Sequence, residues 1–121
     1  MTTNMENVSQ EPADRRKYQR HRVSVQTELT IPDQDRPMRA ETSDLSLGGC
    51  YIKTPFTMLV GTRLDVSLRL GDEKVLLAGI VVTCYPNIGN GIQFLSLAQS
   101  DRDRVRTFLE SSRSSDSPEL L

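Results

Sequence analysis

The strongest constraint in this chain is a two-residue period that recurs between turn residues. Val23, Val25, Thr27, Leu29 and Ile31 alternate with Ser24, Gln26, Glu28 and Thr30. Successive side chains of an extended strand point to opposite faces, so this run buries one face and wets the other. Pro32-Asp33-Gln34-Asp35 ends it, since Pro and Asp suit turns and do not extend a ladder. A second strand is expected over Pro37 to Ser43, interrupted by Asp44-Leu45-Ser46-Leu47-Gly48-Gly49, and a third over Cys50 to Lys53, closed by Pro55. Arg63 to Leu70 places Leu64, Val66, Leu68 and Leu70 on one side, and Gly71-Asp72 turns the chain. Lys74 to Tyr85 is a long apolar strand in which Gly79 marks a bulge or bend. Pro86 to Asn90 reads as a turn and Gly91 to Leu95 as the last strand. Six short strands with no helix between them predict an all-β barrel or sandwich.

The period changes at the end of the chain. Ser100 is the expected N-cap, with Asp103 three residues on, and Val105, Phe108 and Leu109 share one helical face. This helix is expected to pack on the strands. Residues 1–13 are polar, contain Pro12 and show no period, so they read as a disordered leader. Residues 14–110 form the expected folded domain, and residues 111–121, rich in Ser, a disordered tail. With 36% hydrophobic residues the chain can build one core. No apolar run is long enough to span a bilayer, and the polar start lacks the apolar stretch of an export signal, so a cytoplasmic location is expected. Cys50 and Cys84 are too few for a disulfide framework and read as buried, reduced thiols. Two Cys and one His do not supply a zinc site, and neither a metal nor a cofactor is expected.

Catalysis finds little to work with. The single histidine, His21, lies between Arg20 and Arg22, which favour its neutral form. No nucleophile elbow, HExxH or phosphate-binding P-loop is present, and the acidic residues show no pairing. The charge distribution is more informative than the net charge of −1, because five of the eight residues from Arg15 to Arg22 are basic while the remainder is acidic. Arginine offers a rigid fork of donors that matches phosphate oxygens and the O6/N7 edge of guanine, and its plane stacks on bases. Arg16 and Arg20, four apart at the start of the first strand, suit a clamp on a compact nucleotide; the plain alternative is a solvated charge run. In Asp44-x-Ser46-x-x-Gly49 a carboxylate and a hydroxyl match the edge donors of guanine. Gly48 and Gly49 leave room for close approach and permit positive φ. By itself this stretch also reads as an ordinary turn.

Together the two features resemble the PilZ domain family, whose pattern is R-x-x-x-R in an N-terminal arm followed by [DN]-x-S-x-x-G. Arg16-Lys17-Tyr18-Gln19-Arg20 matches the first part and Asp44 to Gly49 the second, while Gly91-Ile92-Gln93-Phe94 is similar to a strand near the end of such domains. The resemblance covers roughly Asp14 to Glu110. It implies a six-stranded Greek-key β-barrel with a C-terminal helix, and the bacterial second messenger cyclic di-GMP as ligand. Carried over, Arg16 and Arg20 are the clamp, Asp44 and Ser46 the guanine acceptors, and Gly49 the point of close approach. Arg15 is a stacking residue for a second ligand molecule, and His21, Arg22 and Gly48 are accessory contacts. Without ligand, Arg15 to Arg22 is expected to be mobile and to fold over the barrel on binding, presenting a new surface to effector proteins in motility, pilus or polysaccharide systems.

Two competing readings stand beside this one. The first is a PilZ-like interaction module that does not bind nucleotide, since fold resemblance does not fix function. The second is a small nucleic-acid binder; it requires aromatic stacking platforms near the arm, where only Tyr18 lies, so no nucleic-acid partner is expected.

Overall fold

The computed structural model describes residues 19–116, with side chains as far as residue 111. Six antiparallel strands follow one another: β1 (Gln26–Thr30), β2 (Met38–Leu45), β3 (Gly49–Lys53), β4 (Arg63–Leu70), β5 (Glu73–Tyr85) and β6 (Gly89–Ser96), then helix α1 (Gln99–Asp116). They close into a barrel in the order β1-β2-β3-β6-β5-β4. Three hairpin-linked strands followed by a fourth that returns beside the first make a Greek key, as expected. The β3–β4 connection, residues 54–62, is the strap that crosses one end of the barrel to allow this.

Alternation does most of the packing. In β4 the inward Leu64, Val66, Leu68 and Leu70 are all buried, joined by Leu29 from β1, Ile52 from β3, Val75 and Val81 from β5 and Ile92 from β6. Val105 and Leu109 of α1 belong to the same core, so the helix lies against the barrel as its apolar face predicted. Arg104 Nε lies 3.3 Å from Glu73, the first residue of β5, in an exposed ion pair between the helix and that end of the barrel. At the other end Met58 plugs the strap into the core. Fully buried Asn90 holds it there: its Oδ1 accepts from Met58 N at 2.7 Å, and its Nδ2 donates to Met58 O and Thr83 O.

Several boundaries differ from the sequence expectation, each for a physical reason. The last strand starts at Gly89 instead of Gly91, because Asn90 is a strand residue with an inward amide and not part of the turn. Asp44 and Leu45 continue β2, and the interruption shrinks to the three residues Ser46 to Gly48. Ser100 is not the N-cap: Ala98 O accepts the first helical bond, from Arg102 N at 2.8 Å, which puts Ser100 inside the first turn. The helix also continues past the expected limit at residue 110 to Asp116. At Gly79 the expected irregularity is present, but the extra residue, Leu95, is on the partner strand. Among the glycines of the described residues positive φ occurs at Gly61 and Gly71, not at Gly48 or Gly49. Cys50 is buried and Cys84 half-buried, both as free thiols. Among the described residues no helix is long and apolar enough to cross a membrane. The leader 1–13 and residues 117–121 lie outside the described residues.

Candidate functional site

One hollow of about 380 Å³ opens on the outer wall of the barrel where the β2–β3 loop meets β5 and β6. Arg20, Asp44, Ser46, Gly48 and Gly49 all line it. Five of the residues singled out in the sequence therefore converge. Arg15 and Arg16 lie outside the described residues, and His21 and Arg22 are not among the lining groups.

Asp44 reaches this surface through a break in alternation. In β2, Thr42 faces inward, and strict period two would send Asp44 inward as well. A bulge intervenes: Thr42 pairs with Ile52 and Asp44 with Tyr51, leaving Ser43 as the extra residue. Leu45 then takes the inward place, fully buried, and the carboxylate of Asp44 turns to the outer wall. A second bulge acts in β5, where Val81 pairs with Ile92 and Thr83 with Gly91, so Val82 is extra and both Val82 and Thr83 face out into the hollow. Two local insertions thus turn side chains of β2 and β5 toward one place.

The arm is tied to the same corner. His21 forms a paired bridge with Leu45, each N–H donating to the other's carbonyl at 2.9 Å. This qualifies the expectation that Arg15 to Arg22 is loose without ligand, because the backbone is already anchored at His21. The main chain of His21 is thus fixed at this corner, and Arg22 next to it is exposed. The anchor delivers Arg20, whose Nη1 lies 3.8 Å from Asp44 Oδ2. With Arg20 54% exposed the pair is a surface one, worth about 0–1 kcal/mol, and is easily traded for a stronger contact. Asp44 Oδ1 is different: it is buried and has no hydrogen-bond partner among the described residues. A carboxylate oxygen kept from both water and donors is costly, by about 1–3 kcal/mol or more. Its charge also acts on Cys50 behind it, whose thiol is pushed up to about 12, first by burial and then by Asp44.

Ser46 and Gly49 line the hollow, and each also has a structural function there. The Ser46 hydroxyl accepts from the N–H groups of Gly48 (3.0 Å) and Gly49 (3.2 Å) and lies 3.3 Å from Gly49 O, to which it donates. Its donor and both lone pairs are engaged within the loop, so it shapes the loop instead of presenting a free acceptor. At Gly49 a Cβ would overlap the carbonyl oxygen of Ile92, so glycine is required by the approach of β3 to β6 and not only by that of a ligand.

Sequence reasoning did not single out Tyr51, Val82, Thr83 or Gln93, which complete the wall. Gln93, between buried Ile92 and Phe94, and Tyr51, between buried Cys50 and Ile52, were findable by alternation. Val82 and Thr83 were not, because their orientation depends on the bulge. The Tyr51 ring leans on Tyr85, with centroids 6.4 Å apart, and burial raises its hydroxyl pKa from the ordinary value. Among the described residues no group of His, Cys, Asp and Glu could hold a metal ion. The arrangement provides one exposed cation, one carboxylate with an oxygen lacking donors and an aromatic edge around a hollow within the roughly 300–1,000 Å³ usual for small-molecule sites.

Comparison with known proteins agrees with this fold. The family model described as "PilZ domain" matches residues 14–111. Among solved structures, the PilZ domain of YcgR from Escherichia coli with c-di-GMP superposes with a TM-score of 0.69 at 16% identity, covering 87% of this chain and 97% of that one. The inhibitor of motility MotI/DgrA from Bacillus subtilis gives 0.72 at 14% identity, over 84% of this chain and 52% of the other. The PilZ domain of CeSA, from a cellulose-synthesising bacterium, gives 0.63 at 16% identity, over 78% and 98%. This chain thus spans about half the length of MotI/DgrA and nearly all of the isolated PilZ domains. No curated protein matches it.

Proposed function

Because the chain belongs to the PilZ domain family, we propose that it is a receptor for cyclic di-GMP, not an enzyme, and passes the signal on through protein–protein contacts. The observation that carries this reading is the orphaned Asp44 Oδ1 beside the Arg20 guanidinium. Guanine presents two adjacent donors, N1–H and the N2 amino group, to a carboxylate, while its O6/N7 edge and the phosphates of the dinucleotide accept from arginine. A guanine edge supplies what Asp44 lacks. Arg20 then exchanges a weak surface pair for charge-assisted bonds to phosphate or base. Arg16, four residues earlier, is the second jaw, and Arg15 stacks on a second ligand molecule where two bind. Ser46 contributes by holding the Gly48 and Gly49 amides in place. The PilZ domain of YcgR was solved with c-di-GMP, which supports the same ligand here. MotI/DgrA is named an inhibitor of motility, and the CeSA domain comes from a cellulose-synthesising bacterium. Effectors in motility, pilus or polysaccharide systems follow from that likeness.

Calorimetric titration of the full chain tests the reading. Binding of cyclic di-GMP in the micromolar range, about −8 kcal/mol, is expected. Cyclic di-AMP is expected to bind far more weakly, because adenine offers no N1–H to Asp44. Absence of heat with cyclic di-GMP at high micromolar concentration would leave the non-binding interaction module as the function.

A further inference from the structure

The end of the barrel crossed by the strap carries an apolar surface that the ligand site does not use. Phe56 and Leu59 on the strap are 73% and 78% exposed, and Val60 beside them is exposed as well. Tyr85 and Ile88, at the β5–β6 turn, add two more exposed apolar groups. The two segments are neighbours, because Thr54 N donates to Ile88 O at 3.0 Å and Asn87 N to Thr57 Oγ1 at 3.3 Å. The strap is pinned in place, since Met58 is plugged into the core and held by Asn90 on both its backbone groups. None of the five lines the hollow, although Tyr85 meets its Tyr51 ring to ring.

The loops hold all five of these side chains out in water. Five exposed apolar side chains gathered on two adjoining loops are a feature that interaction surfaces use. The charges around it indicate the partner. Residues 53–63 and 85–90 contain no acidic residue, and their only charges are Lys53 and Arg63, which flank the strap. Both are exposed, and neither takes part in an ion pair among the described residues. Glu41, opposite Lys53 across the β2–β3 ladder, turns its carboxylate to Ser24 and Gln26 instead. Two copies meeting through this face would oppose basic rim to basic rim, which disfavours self-association.

We propose that the strap and the β5–β6 turn form a docking surface for a different protein, one that presents apolar side chains bordered by carboxylates. The proposal does not depend on which ligand the hollow takes. It is tested in the cells of origin with the full chain carrying benzoylphenylalanine in place of Ile88, and in place of Arg39 on the outer face of β2 as a control. Irradiation is expected to join the Ile88 probe, and not the Arg39 probe, to another protein at a segment with flanking Asp or Glu. Lys53→Glu with Arg63→Glu in the same chain is expected to reduce that adduct about tenfold or more, and lysine in place of the partner's carboxylates to restore it. If the reversed variant melts early, Lys53→Gln with Arg63→Gln replaces it, with a smaller loss expected. The proposal is overturned by no adduct, by one insensitive to the charge changes, or by one to lipid or a second copy. An adduct to residues 1–18 or 117–121 of the same chain overturns it equally.

Discussion

Asp44 concentrates the functional tension of the molecule in one side chain. Its buried Oδ1 lowers the stability of the ligand-free fold and, on our reading, is the atom that recognises guanine. Function and stability should therefore separate on Asp44→Asn. The amide turns a donor toward donors, so affinity for cyclic di-GMP is expected to fall by about 10–100-fold, the worth of one or two hydrogen bonds to a charged group. Thermal stability without ligand should hold or rise slightly; calorimetry and a melting curve on the same sample check both. Cys50, directly behind, carries a pH signature of its own. Its thiol titrates near 12 in the fold against an ordinary value of 9.0. Below pH 9 both states keep the proton and the residue adds no pH dependence. Above pH 9 the unfolded chain releases it first, so stability falls as pH climbs from 9 toward 12. Urea unfolding across that range should show a steeper alkaline loss for the parent than for Cys50→Ala.

At the scale of elements, glycines and bulges decide where the strands let side chains out. Gly49 lies where β3 and β6 come too close for any Cβ. Gly49→Ala is expected to cost about 1–3 kcal/mol or more by forcing the two backbones apart, and to lower the melting temperature in the absence of any ligand. A variant that melts normally and loses only binding would return this glycine to a pure ligand-approach function. The strands themselves were legible in the sequence, because alternation such as Leu64, Val66, Leu68, Leu70 reports burial directly. The site was legible in part. Arg20 and Asp44 could be paired from the resemblance, but the Ser43 and Val82 bulges were not visible, since an inserted residue has no side-chain preference that announces it. Asn90 was misread for a related reason: asparagine is a turn former by habit, and only its three partners on Met58 and Thr83 make it a buried clamp.

On the scale of the whole molecule, a closed barrel with a core running from Met58 at the strap end to Val105 of the helix is a stiff platform. Backbone hydrogen bonds between His21 and Leu45, an isolated bridge outside the continuous ladder, help to hold the arm to it. A bridge at the margin of the sheet opens more readily than its centre, and the amides of His21 and Leu45 are expected to exchange with solvent faster than those of β4 and β5. Saturating cyclic di-GMP should slow both, along with amides toward Arg16, in a hydrogen-exchange experiment followed by mass spectrometry. Unchanged exchange under saturation would mean that ligand binds without ordering the arm.

Strand number, the terminal helix, the inward residues and the two charged motifs were determined by the sequence alone, because periodicity, turn chemistry and charge are properties of neighbours along the chain. Which wall Arg20 shares with Asp44, that Ser46 spends its hydroxyl on its own loop, and that the strap holds Phe56 and Leu59 in water beside the β5–β6 turn were decided only in three dimensions. These depend on register between strands far apart in sequence. A single inserted residue reverses which face a side chain takes, and only the closed ladder records it.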